Sequence, residues 1–348
     1  MLVERAVRTI NLEDVLMANS NWTLTRRDLL QAGAGAAIAP LLATGATGPA
    51  MASAPLLGAS QPTHYRFRLG NFEVTTIYDG AIRIGRVYPI FGNDQFEEDV
   101  QNQLKANFLP PDRMMIPFTP VIVNTGTQVV LFDTGNGAPR RASGAGRVAA
   151  TLASAGFSPD QIDVVVLTHF HPDHIGGLME GGKPLYANAR YITGETEFNF
   201  WTPKALGDSG NASMAARSRL VQSNVVPLAE KMTFLKSEGE VVPGIRSIEA
   251  FGHTPGHMAF HIESGSNRLL LWGDVTNHYV VSLQQPDWHV SFDMDKEKAV
   301  VARKKVLDMV AAEKILATGY HMPFPAVGHV EKKGAGYRWV PVSYQLEL

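Results

Sequence analysis

The sequence has no cysteine. Thiolate metal ligands, disulfides and a cysteine nucleophile are therefore excluded, and any bound metal must be held by His, Asp, Glu or Tyr. It has no excess of either charge: 31 Lys and Arg stand against 33 Asp and Glu, a net −2. That balance carries no signal for nucleic acid or for a charged membrane surface. No stable membrane insertion is expected either, since the apolar segment Ala32 to Ala50 is short and rich in Gly and Ala. No repeat of solenoid period stands out. What remains is a globular composition, 45% hydrophobic over 348 residues, enough for one large domain or two small ones.

The informative stretch is Val164-Val165-Val166-Leu167-Thr168-His169-Phe170-His171-Pro172-Asp173-His174-Ile175-Gly176-Gly177. The β-branched run Ile162 to Leu167 reads as a strand buried on both faces. A polar cluster begins at its carboxyl end, where α/β folds place their chemistry. His169 and His171 are two apart and point the same way in extended chain. Asp173 and His174 follow across Pro172, which forces a turn. Imidazoles and a carboxylate this close suit a borderline metal such as zinc. A solvated His-rich loop is the alternative.

Near the N-terminus, Thr25-Arg26-Arg27-Asp28-Leu29-Leu30 precedes the Gly/Ala-rich segment, and Ala50-Met51-Ala52 and Ala52-Ser53-Ala54 fit small-x-small cleavage sites. Residues 1–54 are expected to be a twin-arginine export signal read by the export machinery. Residues 60–348 then form one domain, periplasmic or secreted. Phe72 to Tyr78 alternates like a half-buried strand ending at the turn pair Asp79-Gly80. Residues 85–118, with four prolines, read as irregular: a loop leaning over the site or a surface excursion. Val121 to Gly135 reads as a hairpin turning at Thr125 to Thr127. Asp133 is either a carboxylate that orients a metal-bound histidine or a turn residue. Helices are expected over Val148 to Ala155, Glu195 to Trp201 and Ala212 to Gln222, and loop over Pro203 to Asn211.

Three more apolar runs end in candidate ligands. Ile245 to Phe251 leads to Gly252-His253-Thr254-Pro255-Gly256-His257, Arg268 to Trp272 to Gly273-Asp274, and Ile315 to Thr318 to Gly319-Tyr320-His321. Glycines beside His253 and Asp274 permit close backbone approach. Counting ligands assigns His169, His171 and His253 to one metal and Asp173, His174 and His321 to another, with Asp274 bridging. Three ligands and a shared carboxylate leave each ion an open position, as a catalytic site requires. His257 is expected to brace its loop or to stand behind a metal ligand, and His261 to be structural.

These motifs together resemble the metallo-β-lactamase fold superfamily. Tyr65 to Glu73, Phe324 to His329 and Gly336 to Val342 resemble its branch of methyl parathion hydrolases and exported lactonases. The resemblance implies an αββα sandwich with two Zn²⁺ at one edge (Mn²⁺, Co²⁺ or Fe²⁺ being alternatives at one site), usually as a homodimer. It implies hydrolysis of a small molecule, a lactone or ester such as an N-acyl homoserine lactone, by a metal-bridging hydroxide. Organophosphate triester hydrolysis would be a side activity or, alternatively, the main one. Asp173 is expected to act in proton transfer as well as ligation. His278 or Tyr279 stands near the position of a lactonase tyrosine that assists the leaving alkoxide, out of strict register. Phe118, Trp201 and Arg140 are the candidate substrate contacts. Arg140 and Arg141 occupy a loop where the triesterases carry an aromatic, and a Phe-Phe pair is replaced in the Asn211 to Arg217 region. A β-lactamase, a redox di-iron protein (which would carry an acid in place of His171) and a zinc scavenger are the other readings.

The ligand assignment makes a direct prediction. His171→Ala is expected to lose bound metal and hydrolysis together, read by elemental analysis alongside an esterase assay. Full activity in a metal-depleted variant would end this mechanism.

Overall fold

The computed structural model describes residues 54–208, 210–342 and 346. The chain divides into two units, Met1–Ala59 and Ser60–Leu348. The export signal expected over residues 1–54 lies outside the described residues, apart from Ala54.

The second unit is built on two seven-stranded sheets, each with its strands in chain order. The first holds β1 (His64–Leu69), β2 (Phe72–Ile77), β3 (Val121–Asn124), β4 (Val129–Phe132), β5 (Val164–Val166), β6 (Arg190–Gly194) and β7 (Met232–Leu235). Neighbours are antiparallel up to β4 and parallel from β4 to β7. The second holds β8 (Glu240–Val242), β9 (Ile245–Glu249), β10 (Met258–Ser264), β11 (Asn267–Leu271), β12 (Leu316–Thr318), β13 (Val327–Lys333) and β14 (Gly336–Pro341). Its neighbours are antiparallel except the parallel pair β11 and β12.

The alternation along β5 shows how the layers form. Val164 and Val166 face the core between the sheets, with Phe132, Met258, Phe260 and Leu271. Val165 and Leu167 face the opposite way, into an outer core with Leu152, Trp201 and Val221. Those three come from helices α2 (Val148–Ser154), α4 (Glu195–Trp201) and α5 (Ala212–Asn224), the single turn α3 (Pro172–Ile175) lying between α2 and α4 in the chain. On the far side, α6 (Lys296–Glu313) packs Val306, Leu307 and Val310 over Leu270 and Trp272 of the second sheet. The result is the αββα sandwich the motifs implied.

The β3–β4 turn matches its sequence. Asn124 Oδ1 accepts from Gly126 N at 2.9 Å, Thr125 Oγ1 accepts from Gln128 N at 3.0 Å, and Gly126 takes φ +85°. Residues 85–118 differ from expectation. They contain α1 (Glu97–Ala106) and a strand, Met114–Phe118, paired with Gly80–Ile84. Helix α1 opens with Glu97, Glu98 and Asp99, which suits the helix dipole, but buries only Val100 and Leu104. Two apolar residues make too thin a stripe to read as helical periodicity. The 203–211 segment likewise holds one 3₁₀ turn, Lys204–Asp208. No helix among the described residues is long and apolar enough to cross a membrane.

Helix α6 reaches the rim of the sandwich through Arg303, which is fully buried. Its guanidinium donates to Val275 O at 3.0 Å, to Pro286 O at 2.9 Å and to Asp293 Oδ2 at 2.7 Å. Removing one partner of a buried pair strands the other's charge, at a cost of about 3–5 kcal/mol. Arg303→Met is therefore expected to lower unfolding stability by about that amount in denaturant titration. A loss below about 1 kcal/mol would show that Asp293 finds another partner.

Candidate metal centre

Four strand ends meet at one rim of the sandwich. The loop after β5 brings Thr168 to His174 from the first sheet. The loops after β9, β11 and β12 bring His253, Asp274 and His321 from the second. Met258 N donates to Thr168 O at 3.1 Å, joining the sheets there. Two glycines allow the convergence. Gly252 has φ +134°, and a Cβ on it would run into the backbone of Ala299. Gly273 has φ +55°, and a Cβ would sit 2.8 Å from His257 Nε2.

Seven side chains gather into two overlapping groups: His169, His171, His253 and Asp274, and Asp173, His174, Asp274 and His321. Within each group the ligand atoms lie within 4.8 Å of one another. Every imidazole is held from behind by one ring nitrogen and faces the cluster with the other. His169 Nδ1 donates to Thr168 Oγ1 at 3.0 Å, and that hydroxyl donates to Asp133 Oδ2 at 2.9 Å. His174 Nδ1 donates to Asp133 Oδ2 at 2.8 Å. His253 Nδ1 donates to Asp293 Oδ1 at 2.8 Å, and His321 Nδ1 to Pro117 O at 2.9 Å. His171 is held the other way round: its Nε2 accepts from Arg217 at 3.2 Å, leaving Nδ1 to face His253 Nε2 at 2.9 Å. For the four rings that donate outward, this leaves the inner nitrogen bare and free to ligate; the Arg217 contact holds the His171 ring in place without making that choice of tautomer.

Asp133 thus orients two of the histidines, directly and through Thr168. It sits at φ +60°, a region that Asp and Asn tolerate better than most residues. Asp274 is central. Its Oδ2 lies 3.1 Å from His321 Nε2 and 3.3 Å from His253 Nε2, and its Oδ1 lies 3.4 Å from His174 Nε2. Asn277 Nδ2 donates to Oδ2 at 3.1 Å. Burial alone would raise the Asp274 carboxyl, but His321 and His174 hold it well below the usual range. Burial works against charge on His253, yet Asp274 and Asp293 lift its pKa to about 9. Burial and the neighbouring imidazoles push His169 and His171 well down. His257 stays outside the cluster: Nδ1 donates to Ala250 O at 3.2 Å and Nε2 accepts from Asp274 N at 3.0 Å, so it braces the two loops.

One residue with no role assigned by sequence stitches the rim together. The buried carboxylate of Glu197, in the first turn of α4, accepts from Phe170 N at 2.8 Å, Thr254 Oγ1 at 2.7 Å, Gly256 N at 2.9 Å and Trp201 Nε1 at 2.9 Å. Two of these donors belong to the His253 loop and one to the His169 loop. The one local hint is an acid four residues before a tryptophan, which does not distinguish Glu197 from an ordinary acid in a first helical turn. Asp293 and Arg217 carry no comparable local signal.

A cavity of about 870 Å³ opens beside the cluster, with His321 in its wall. His278, Tyr279, Leu104, Met114 and Phe324 also line it. Asp173 is the one cluster member with appreciable exposure, 21% of its side chain. Phe118 is buried edge-on against His321, with ring centroids 5.5 Å apart. Trp201 is fully buried, bound to Glu197 and 6.5 Å from the His171 ring centroid. Arg140 lies on a different groove, lined also by Asn136, Pro172 and Asn224 and by no member of the cluster.

The residues fit a pair of metal ions. His169 Nε2, His174 Nε2 and Asp274 Oδ1 are buried without a hydrogen-bond partner. Orphaned polar atoms of this kind are costly unless something else binds them. A cation satisfies all of them at once, and imidazole nitrogens with carboxylates are the donor set zinc prefers.

Comparison with known proteins agrees. The model of the metallo-beta-lactamase superfamily matches residues 119–316. A probable metallo-hydrolase of Bacillus subtilis, YflN, is 30% identical over 135 residues, covering 36% of this chain and 47% of that protein. The N-acyl homoserine lactonase AiiA of Bacillus thuringiensis subsp. kurstaki is 23% identical over 168 residues, covering 48% of this chain and 59% of that one. The chain thus spans about half the length of the curated relatives it matches. Among solved structures, AidC, a dizinc quorum-quenching lactonase in complex with a product, N-hexanoyl-L-homoserine, superposes with TM-score 0.74 at 27% identity over 81% of this chain and 98% of AidC. The hydrolase AbOPH shares the fold, with TM-score 0.76 at 24% identity over 82% of this chain and all of AbOPH (100%).

Asp133→Asn keeps the backbone conformation and removes the charge behind two histidines. It is expected to weaken zinc affinity about 10–100-fold, read by competition with a chromogenic chelator. Unchanged affinity would show that Thr168 alone orients them.

Proposed function

The chain belongs to the metallo-beta-lactamase superfamily, and on that premise we propose that it is a metal-dependent hydrolase of lactones or esters, with N-acyl homoserine lactones as the leading substrate class. One observation carries the reading: the two clusters that share Asp274 open, at His321, into a cavity whose remaining walls are mostly apolar. Such a site suits a substrate with a small hydrolysable head and an apolar tail. The similarity to lactonases supports the same class.

His169, His171 and His253 would hold one divalent ion and Asp173, His174 and His321 the other, with Asp274 shared. When bound, such ions, zinc in the first instance, supply Lewis acidity toward a carbonyl oxygen and lower the pKa of water to near neutrality. The chain itself supplies position and proton handling. Tyr320 donates its hydroxyl to Asp173 O at 2.6 Å and lays its ring on His174, fixing both residues. Asp173, the exposed member, is placed to accept at its carboxylate the proton lost from water. Leu104, Met114 and Phe324 shield the tail from solvent. A dedicated aryl triesterase fits less well, since Trp201 is buried under Glu197 rather than set in the cavity wall. Export through the twin-arginine pair Arg26-Arg27 and assembly as a homodimer belong to the same proposal.

The test compares kcat/KM for a long-chain N-acyl homoserine lactone and a methyl parathion-type triester on one zinc-loaded preparation. The lactone is expected to be preferred by about 100-fold or more. A triester preference would overturn the assignment and place an aromatic clamp in the cavity.

A further inference from the structure

His278 stands in the wall of the cavity that holds His321, four residues beyond Asp274 and outside both metal groups. It is nearly buried, with 6% of its surface exposed. Its Nδ1 accepts two backbone N–H bonds, from Val280 at 3.1 Å and from Val281 at 3.3 Å. Phe91 and Tyr279 flank the ring, with centroids 5.9 and 4.7 Å away. A nitrogen that accepts from two amides carries no proton, so the proton of the neutral ring is on Nε2. Nε2 has no partner among the described residues.

The geometry points to His278 as a preorganised hydrogen-bond donor in the substrate cavity, its Nε2–H donating to an oxygen of the bound lactone or ester. The inference rests on the hydrolase reading above and adds a residue that takes no part in holding metal. The donor is preorganised, because the two amides fix both its tautomer and its direction before substrate arrives. It is also a donor that keeps its proton. Becoming an imidazolium would require a proton on Nδ1, where the two amide hydrogens already point, and burial keeps the pKa near 3. Losing the Nε2 proton would leave an imidazolate in a nearly buried wall. His278 therefore polarises an oxygen as a neutral imidazole and is not a general acid. Neutral imidazole has precedent as an electrophile in enzyme sites.

Two substitutions separate the two nitrogens. In His278→Asn the side-chain oxygen takes the place of Nδ1, so the backbone amides keep their acceptor while the Nε2 donor is lost. In His278→Gln the side-chain amide can reach the position of Nε2 and donate. His278→Asn is expected to lower kcat about 100-fold with zinc content unchanged, and His278→Gln to recover at least tenfold of that loss. The pH profile of kcat should keep its shape, since no titration of His278 is involved. Full kcat in His278→Asn would overturn the inference, as would the disappearance of an alkaline limb, which is the mark of a general acid. Nitrogen-15 NMR of the unmodified, zinc-loaded enzyme provides a test independent of variant folding. The His278 signals should report Nε2–H and bare Nδ1 between pH 5 and 8, with the Nε2 signal moving on addition of N-hexanoyl-L-homoserine; a protonated Nδ1 or an unmoved Nε2 would overturn it. A wild-type enzyme that hydrolyses no lactone or ester would instead count against the function proposed above.

Discussion

The hydrogen bonds of the Glu197 carboxylate hold the two halves of the rim in register. Phe170 N comes from the loop that carries His169, His171, Asp173 and His174; Thr254 and Gly256 belong to the loop that carries His253. Apart from a few hydrogen bonds such as Met258 N to Thr168 O, the sheets meet through an apolar core, which is nondirectional and tolerates small shifts between layers. A metal pair tolerates far less. A buried carboxylate bonded in several directions converts loose layer packing into a defined spacing, because any shift would leave one of its donors unpaired at a cost of about 1–3 kcal/mol. Burial raises the Glu197 carboxyl above its ordinary range, and the four hydrogen bonds it accepts oppose that rise.

The same logic repeats behind each imidazole. Asp133, Thr168, Asp293, Arg217 and the carbonyl of Pro117 hold the five ring nitrogens that face away from the cluster. These supports come from loops at the end of the first sheet, from the segment just before α6, from α5 and from the hairpin strand Met114–Phe118. They in turn are held: Asp293 by Arg303, itself fixed by backbone carbonyls of the segment from Val275 to Trp288. The site is therefore not a patch laid on a finished fold. Its outer support is a large part of what joins the fold's pieces.

Much of this was readable from sequence where chemistry and chain geometry coincide. The stretch Val164 to Leu167 is short, wholly apolar and mostly β-branched, so its burial on both faces follows from residue type. The four strand ends share a grammar of apolar run, glycine or threonine, and ligand, which is why the seven side chains could be named before being placed together. Asp133 was legible for the same reason, sitting at a strand end. What stayed hidden depends on three-dimensional neighbours. Glu197 looks like an ordinary acid in the first turn of a helix, and only burial against two loops distant in sequence reveals its role. Helix α1 buries two apolar side chains and presents the rest to solvent, so no period emerges. Arg140 and Trp201 were named through resemblance; whether an arginine faces one groove or its neighbour is decided by loop conformation, which residue type does not specify.

The strand order of the two sheets bears on how such a protein comes into being. Each sheet is laid down in chain order, the first complete at Leu235 before the second begins at Glu240. A ribosome-bound chain of that length already carries His169, His171, Asp173 and His174, but neither His253 nor the shared Asp274. With four of the seven cluster side chains made, a cation met at that stage would be gripped from one side only. Selection among competing ions is thus deferred until the last strands close, so the composition of the compartment in which the chain finishes folding, rather than that in which its first ligands appear, decides which metals it keeps.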